Sequence, residues 1–196
     1  MMNPKITITS EENNTLQFTI SDTHYSLANS LRRIVLSDVP TLVFRTFPHN
    51  ESKVDIITNT TRLNNEIIKQ RIGCIPIHIT DTDFPYEEYV VECDKKNDSD
   101  TIILCTTGDL KIKNIATDQY LSDAATKDIF QPDPYTGDFI PITRLRPKLS
   151  ESINGEQLQF IAKLDIGTAK QDGMYNIVST CAYGNTPDSI KANDAW

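Results

Sequence analysis

Long apolar runs are absent: no stretch of the 196 residues approaches the ~18 apolar positions of a membrane span. The opening MMNPKITITS lacks the charged start, apolar run and small-residue cleavage site of a signal peptide, so the protein is expected inside the cell with its thiols free. Cysteine is scarce and scattered. Cys74, Cys93, Cys105 and Cys181 offer no pair at zinc-ribbon spacing, and no metal or other cofactor is expected. The seven glycines never cluster as a phosphate-cradling loop requires. An excess of positive charge is missing too. With 27 acidic against 19 basic residues the net charge is -8, the reverse of a free-standing nucleic-acid binder, whose affinity comes from Lys and Arg neutralising phosphates. Direct DNA contact is therefore not expected. In an intracellular chain, the Asn-x-Ser/Thr sequons at Asn13, Asn50, Asn59 and Asn97 read as by-products of an Asn- and Thr-rich composition.

What is present is short-range alternation and helical periodicity. Ile6 and Ile8, then Leu16, Phe18 and Ile20, alternate with polar residues around the turn-prone SEENNT, which predicts a hairpin of two half-buried strands. Asp22 or Thr23 can cap a helix whose apolar stripe runs through Leu27, Leu31, Ile34 and Val35, and Val39 before Pro40 stops it. Extended runs TLVFRTF and SKVDIITN follow. A second helix is expected over residues 63–72, with Leu63, Ile67, Ile68 and Ile72 on one face and Gly73 as a left-handed cap. From residue 80 the chain turns acidic and polar, which reads as passage into a second unit. Strands are expected there over residues 89–93, 101–106, 139–145, 157–165 and 176–183, and SDAATKDIFQPDPYTGDF reads as loop with one helical turn before Pro132.

Candidate chemistry is sparse. His24, His49 and His78 sit in no local pattern with a carboxylate and a nucleophile. Glu87 and Glu88 are adjacent, so on a strand they point to opposite faces and cannot flank one bond. Cys74 follows a helix carboxyl end, where the dipole disfavours a thiolate, and reads as a small buried hydrophobe. The pair Arg32 and Arg33 is the most informative polar feature. Adjacent helical residues diverge by ~100°, so with Leu31 and Ile34 on the packed side at least one arginine borders that face. A border arginine can fork onto a carboxylate or carbonyl of a neighbouring chain.

The segments SLANSLRRIVLSDVPTLVF and NTTRLNNEIIKQRIGCIPIHI together resemble the alpha-like assembly subunit of multisubunit DNA-dependent RNA polymerases. That family includes the bacterial alpha chain, its archaeal counterpart, and the third-largest subunit of eukaryotic RNA polymerase II with the equivalent chain shared by polymerases I and III. The resemblance is carried by Asn-Ser-Leu-Arg-Arg followed by Pro, and by Arg-x-Gly-x-x-Pro closing a second helix.

The resemblance implies an α+β fold in which an alpha-type dimerisation domain, two helices on an antiparallel sheet, carries an inserted β-rich domain. Residues 1–79 would form the first part of the dimerisation domain, 80–184 the insertion, and 185–196 the start of the return, stopping where a long carboxyl-terminal helix is expected. It implies a non-catalytic scaffold. The stripes Leu27, Leu31, Ile34, Val35 and Leu63, Ile67, Ile68, Ile72 would bury against a smaller alpha-like subunit, separate or fused downstream. The edge bearing Asn29, Arg32, Arg33, Arg71 and Gly73 would dock the second-largest and largest subunits, with small zinc-binding subunits as further partners. The Asn-, Ile- and Thr-rich composition is compatible with a protist nucleus or a large DNA virus, and so with nucleus, cytoplasm or virion. The competing reading is a small α+β enzyme or free adaptor with a pocket around Cys74 and His78.

Overall fold

The computed structural model describes residues 3–81, 83–148, 150, 152–187, 191 and 193. The chain divides into two compact units, one comprising Met1–Val39 and Asn176–Trp196, the other Pro40–Tyr175. Among the described residues the fold is mixed α and β, with antiparallel sheets and three α-helices.

The first unit opens with the expected hairpin, β1 (Lys5–Glu12) and β2 (Thr15–Ser21). Asn13 and Asn14 both take positive φ, 51° and 57°, the pairing that a tight two-residue turn demands and that asparagine tolerates. Ile6 lies opposite Ile20 and Ile8 opposite Phe18, with one irregularity between Ile8 and Ser10. These pairs are largely exposed rather than half-buried, because a two-stranded ribbon has no second layer of its own.

Helix α1 (Tyr25–Ser37) follows. Its cap is neither Asp22 nor Thr23. Asp22 turns through a positive φ of 56°, which leaves His24 at the cap, where Nδ1 accepts from the Ser26 backbone N–H at 3.2 Å. The helix has no buried residue.

The second unit is built on a long central strand. Strands β3 (Thr41–Phe44), β4 (Val54–Asn59), β5 (Tyr89–Lys96), β6 (Ile103–Thr106), β7 (Lys111–Asn114), β8 (Gln119–Tyr120), β9 (Pro141–Leu145) and β10 (Gln157–Gly167) make a six-stranded sheet and a separate two-stranded β6–β9 ribbon. One edge of β10 pairs with β5; the other pairs first with β4 and then with β3. The reason β10 sits centrally is its period-2 pattern. Leu158, Phe160, Ala162 and Leu164 are buried on one face, while Gln157, Gln159 and Lys163 alternate with them. Strands from both sides of residue 80 thus share one sheet.

Against the buried face pack helix α2 (Asn65–Gly73) and the β6–β9 ribbon, contributing Ile68, Ile72, Cys105, Ile142 and Leu145 to the core. Asn64 caps α2 by accepting from the Ile67 N–H at 2.9 Å. Helix α3 (Asp123–Ile129) is longer than the single turn expected, because Ser122 caps it and Phe130, just beyond it, is buried and stacked on Phe44. Residues 176–183 form no strand: no neighbouring segment among the described residues supplies a ladder of backbone partners.

A half-buried charge cluster ties β3, β4 and β10 together on the opposite face. The guanidinium of Arg45 bonds Asp165 and donates to the Ile166 carbonyl at 2.9 Å, while Lys53 Nζ lies 3.1 Å from Asp165. Burial pushes the Asp165 carboxyl up, but the hydrogen bonds from Arg45, Lys53 and the Ile166 N–H outweigh it and hold the group below its ordinary value of 3.8. A depressed native value means that the contribution is complete above the unfolded value and is lost as pH falls through the native one. Asp165→Asn is expected to lower unfolding free energy by about 1–3 kcal/mol at neutral pH. The gap from wild type should close in acid below 3.8, as followed by denaturant titration across pH.

Candidate assembly interfaces

The apolar stripe of α1 is exposed along its length. Leu27, Leu31 and Ile34 are 48%, 39% and 51% exposed, and Val35 is half-buried. Exposure of this kind at i, i+4 and i+7 is unusual for a helix that ends its life in water. On its border, Arg32 is held by its own helix. Its Nε and Nη2 both donate to Asn29 Oδ1, at 3.2 and 3.0 Å, so Asn29 fixes the fork one turn back. Arg33 is exposed and its side chain has no partner among the described residues. The two arginines are therefore unequal, although their sequence context is nearly the same.

Helix α2 behaves differently. Ile68 and Ile72, expected to meet a partner, are fully buried in the chain's own core, and Leu63 packs against that core. Their stripe is spent on the sheet of the second unit, which leaves Ile67 as the exposed member, at 42%. Arg71 is exposed and donates through Nη2 to the Pro141 carbonyl at 2.8 Å, bridging α2 to β9. Gly73 is not a left-handed cap. It is the last residue of α2, is buried, and does not take a positive φ, while Cys74 closes the helix in a right-handed conformation. Glycine is needed there for space: a Cβ would stand 2.7 Å from Thr46 Oγ1 and 2.9 Å from Met174 Sδ. Asn29, Arg32 and Arg33 belong to one compact unit and Arg71 and Gly73 to the other.

Cys74 is exposed, not buried, because the cap position turns its side chain off the helix end between buried Gly73 and Ile75. His78 is exposed as well. Neither lines the cleft at Asn59–Glu66 or the one beside β9. Cys93 and Cys105 are buried free thiols with their sulfurs 3.6 Å apart; the hydrogen bond to Cys105, with burial, pushes the Cys93 thiol far up and leaves it inert. Among the described residues no group of His, Cys, Asp or Glu is arranged to hold a metal ion, and no helix is long and apolar enough to cross a membrane.

The family model for the RNA polymerase Rpb3/Rpb11 dimerisation domain matches residues 17–127, which takes in α1, α2 and most of the sheet. The chain belongs to this family. Its similarity to individual members is modest but long. It is 34% identical over 166 residues to the DNA-directed RNA polymerases I and III subunit rpac1 of Dictyostelium discoideum, covering 74% of this chain and 44% of that one. It is 27% identical over 207 residues to the DNA-directed RNA polymerases II, IV and V subunit 3 of Arabidopsis thaliana, covering 97% and 60%. Against DNA-directed RNA polymerase subunit Rpo3 of Methanosphaera stadtmanae the identity is 27% over 186 residues, covering 90% and 61%. The chain thus spans roughly half the length of these relatives.

One signal that sequence reading passed over lies in the second unit of this Rpb3/Rpb11-type chain. Arg144 and Arg146 are two apart on and just beyond β9, so they project to the same side, and the fold brings Arg62 and Arg71 into the same cleft. The spacing was visible; the convergence with residues ~75 positions earlier was not.

Proposed function

We propose that the chain acts as a non-catalytic assembly subunit of a DNA-directed RNA polymerase. The observation that carries the reading is the apolar face of α1, which lies inside the matched dimerisation segment and whose Leu27, Leu31 and Ile34 stay 39–51% exposed. Leu27, Leu31, Ile34 and Val35, with Ile67 of α2, pair with a smaller alpha-like subunit. Asn29, Arg32, Arg33, Arg71 and Gly73 serve the second-largest and largest subunits, Gly73 through the space it leaves rather than through contact. Small zinc-binding subunits complete the set of partners, and the work is done in the nucleus, or in the cytoplasm or virion of a large DNA virus. Residues 1–79 make the first part of the dimerisation domain, 80–184 the β-rich insertion and 185–196 the return. The grouping of Met1–Val39 with Asn176–Trp196 supports such a return. Interfaces of this obligate kind bury on the order of 2,000 Å² or more and make a protomer depend on its partner.

Arg33 is the arginine assigned to a partner carboxylate, since its guanidinium is uncommitted, whereas Arg32 is already forked onto Asn29. Replacing both with alanine is expected to leave the circular dichroism spectrum and thermal unfolding unchanged while abolishing capture of the second-largest subunit from a co-expression lysate. Of the single variants, Arg33→Ala should lose more, by about tenfold for ~1.4 kcal/mol of a charge-assisted hydrogen bond. Normal co-purification of the double variant would contradict the assignment.

A further inference from the structure

The cleft beside β9, about 620 Å³, is a basic site in an acidic protein. Its floor follows from strand periodicity. On the β6–β9 ribbon, Ile103 pairs with Leu145 and Cys105 with Thr143 on one side, so Leu104 and its cross-strand partner Arg144 stand together on the other. Ile102, two residues before Leu104, and Arg146, two beyond Arg144, extend the same side. Ile102 and Leu104 are 64% and 47% exposed.

Charge is arranged around that apolar strip. Arg62 enters from the loop ahead of α2 and Arg71 from the helix itself. Among the lining residues Glu156 is the single acid, and it is buried and committed to Arg146. Arg71 donates to a neutral carbonyl, which leaves its charge uncompensated. Arg62 and Arg144 have no side-chain partner among the described residues. Placing uncompensated guanidiniums side by side disfavours the free state, and each is geometrically matched to a carboxylate.

We propose that this cleft docks an extended acidic peptide segment of a partner protein, with an apolar side chain seated between its carboxylates. Arg62 and Arg144 fork onto the carboxylates, and the apolar side chain packs on Ile102 and Leu104. A nucleic-acid strand fits less well on two grounds. The lining offers no aromatic platform for bases, and the chain around it carries a net charge of -8. The proposal needs only the geometry of the Pro40–Tyr175 unit; Arg71 also figures in the assembly reading, so the test alters Arg62 and Arg144 alone.

The test is fluorescence anisotropy of the 196-residue chain with a short labelled peptide of glutamates around two central leucines. Three comparison probes are used: the same peptide with lysines for glutamates, the same with alanines for leucines, and a single-stranded oligodeoxythymidine. The Glu/Leu peptide is expected to bind with Kd on the order of 10–100 μM, weaken as salt is raised, and lose about tenfold or more in Arg62→Ala/Arg144→Ala. Thermal unfolding of that variant should match the parent. The lysine and alanine peptides should each bind at least about fivefold more weakly. The proposal is overturned if the Glu/Leu peptide does not bind, if its affinity ignores the double substitution, if the alanine peptide binds equally well, or if the oligonucleotide binds as tightly.

Discussion

Replacing Leu31 and Ile34 together with aspartate is expected to abolish pairing with a smaller alpha-like subunit while leaving the chain folded. Both side chains are largely exposed on α1, and no residue of that helix is buried, so the intrachain core loses nothing. At an interface, covering the exposed 39% of Leu31 and 51% of Ile34 is worth roughly 0.7–1.5 kcal/mol each. The substitution forfeits that and adds the cost of desolvating two carboxylates without partners. The heterodimer should weaken by at least about a thousandfold, since every ~1.4 kcal/mol is a factor of ten. Size-exclusion chromatography after co-expression reads this directly. Light scattering of the chain alone supplies a second arm: the parent is expected to self-associate through the uncovered face, and the double variant to run as a monomer. An unchanged complex would remove α1 from the interface. A parent chain that is already monomeric would show that its exposed stripe needs no cover. The corresponding change on α2, at Ile68 or Ile72, would be uninformative, because those residues hold the chain's own core.

That contrast marks what periodicity can and cannot say. The stripes through Leu31 and through Ile68 have the same helical spacing, and both predicted helices exist. Spacing records that a face needs cover; it does not record whether the cover comes from the same chain. The alternation of β10 was legible for the same local reason, and so was the hairpin. Residues 176–183 misled because alternation describes one strand, whereas a ladder needs a second. Gly73 does not act as the left-handed cap that its position after an apolar stripe suggested. Its identity is dictated by Thr46 and Met174, one far upstream and one far downstream, and not by its own backbone conformation. Arg32 and Arg33 could be picked out as a pair bordering an apolar helix face, but their inequality depends on the rotamer that Asn29 captures. The basic cleft was the least legible feature, being assembled from a loop, a helix and a ribbon that meet only in the fold.

The largest effect on stability is expected at a residue that the sequence presents as a sequon. Asn97 is fully buried, which explains why its Asn-Asp-Ser pattern has no bearing on glycosylation in the folded chain. Its Nδ2 donates to the Thr101 and Leu145 carbonyls, at 2.8 and 2.9 Å, while Oδ1 accepts from the Ser99 N–H at 3.0 Å and the Ser99 hydroxyl at 2.7 Å. Its backbone N–H donates to the Glu156 carbonyl at 2.9 Å, and a Cβ on Gly155 would overlap its carbonyl oxygen. Asn97 thus ties the end of β5, the approach to β6, the end of β9 and, through its backbone N–H, the start of β10. Asn97→Leu keeps the volume close to constant and removes all four side-chain bonds. The Leu145 carbonyl then lies buried without this donor, and the turn through Ser99 loses its brace. At about 1–3 kcal/mol per stranded group, the expected loss is about 3–5 kcal/mol. For a chain of this size that is a fall in Tm of about 10–15 °C. Asn97→Asp should cost as much, because it deletes both donors and buries a carboxylate in their place. Differential scanning calorimetry checks both variants, and a fall of under ~2 °C for Asn97→Leu would show that the four bonds add little beyond the packing around them.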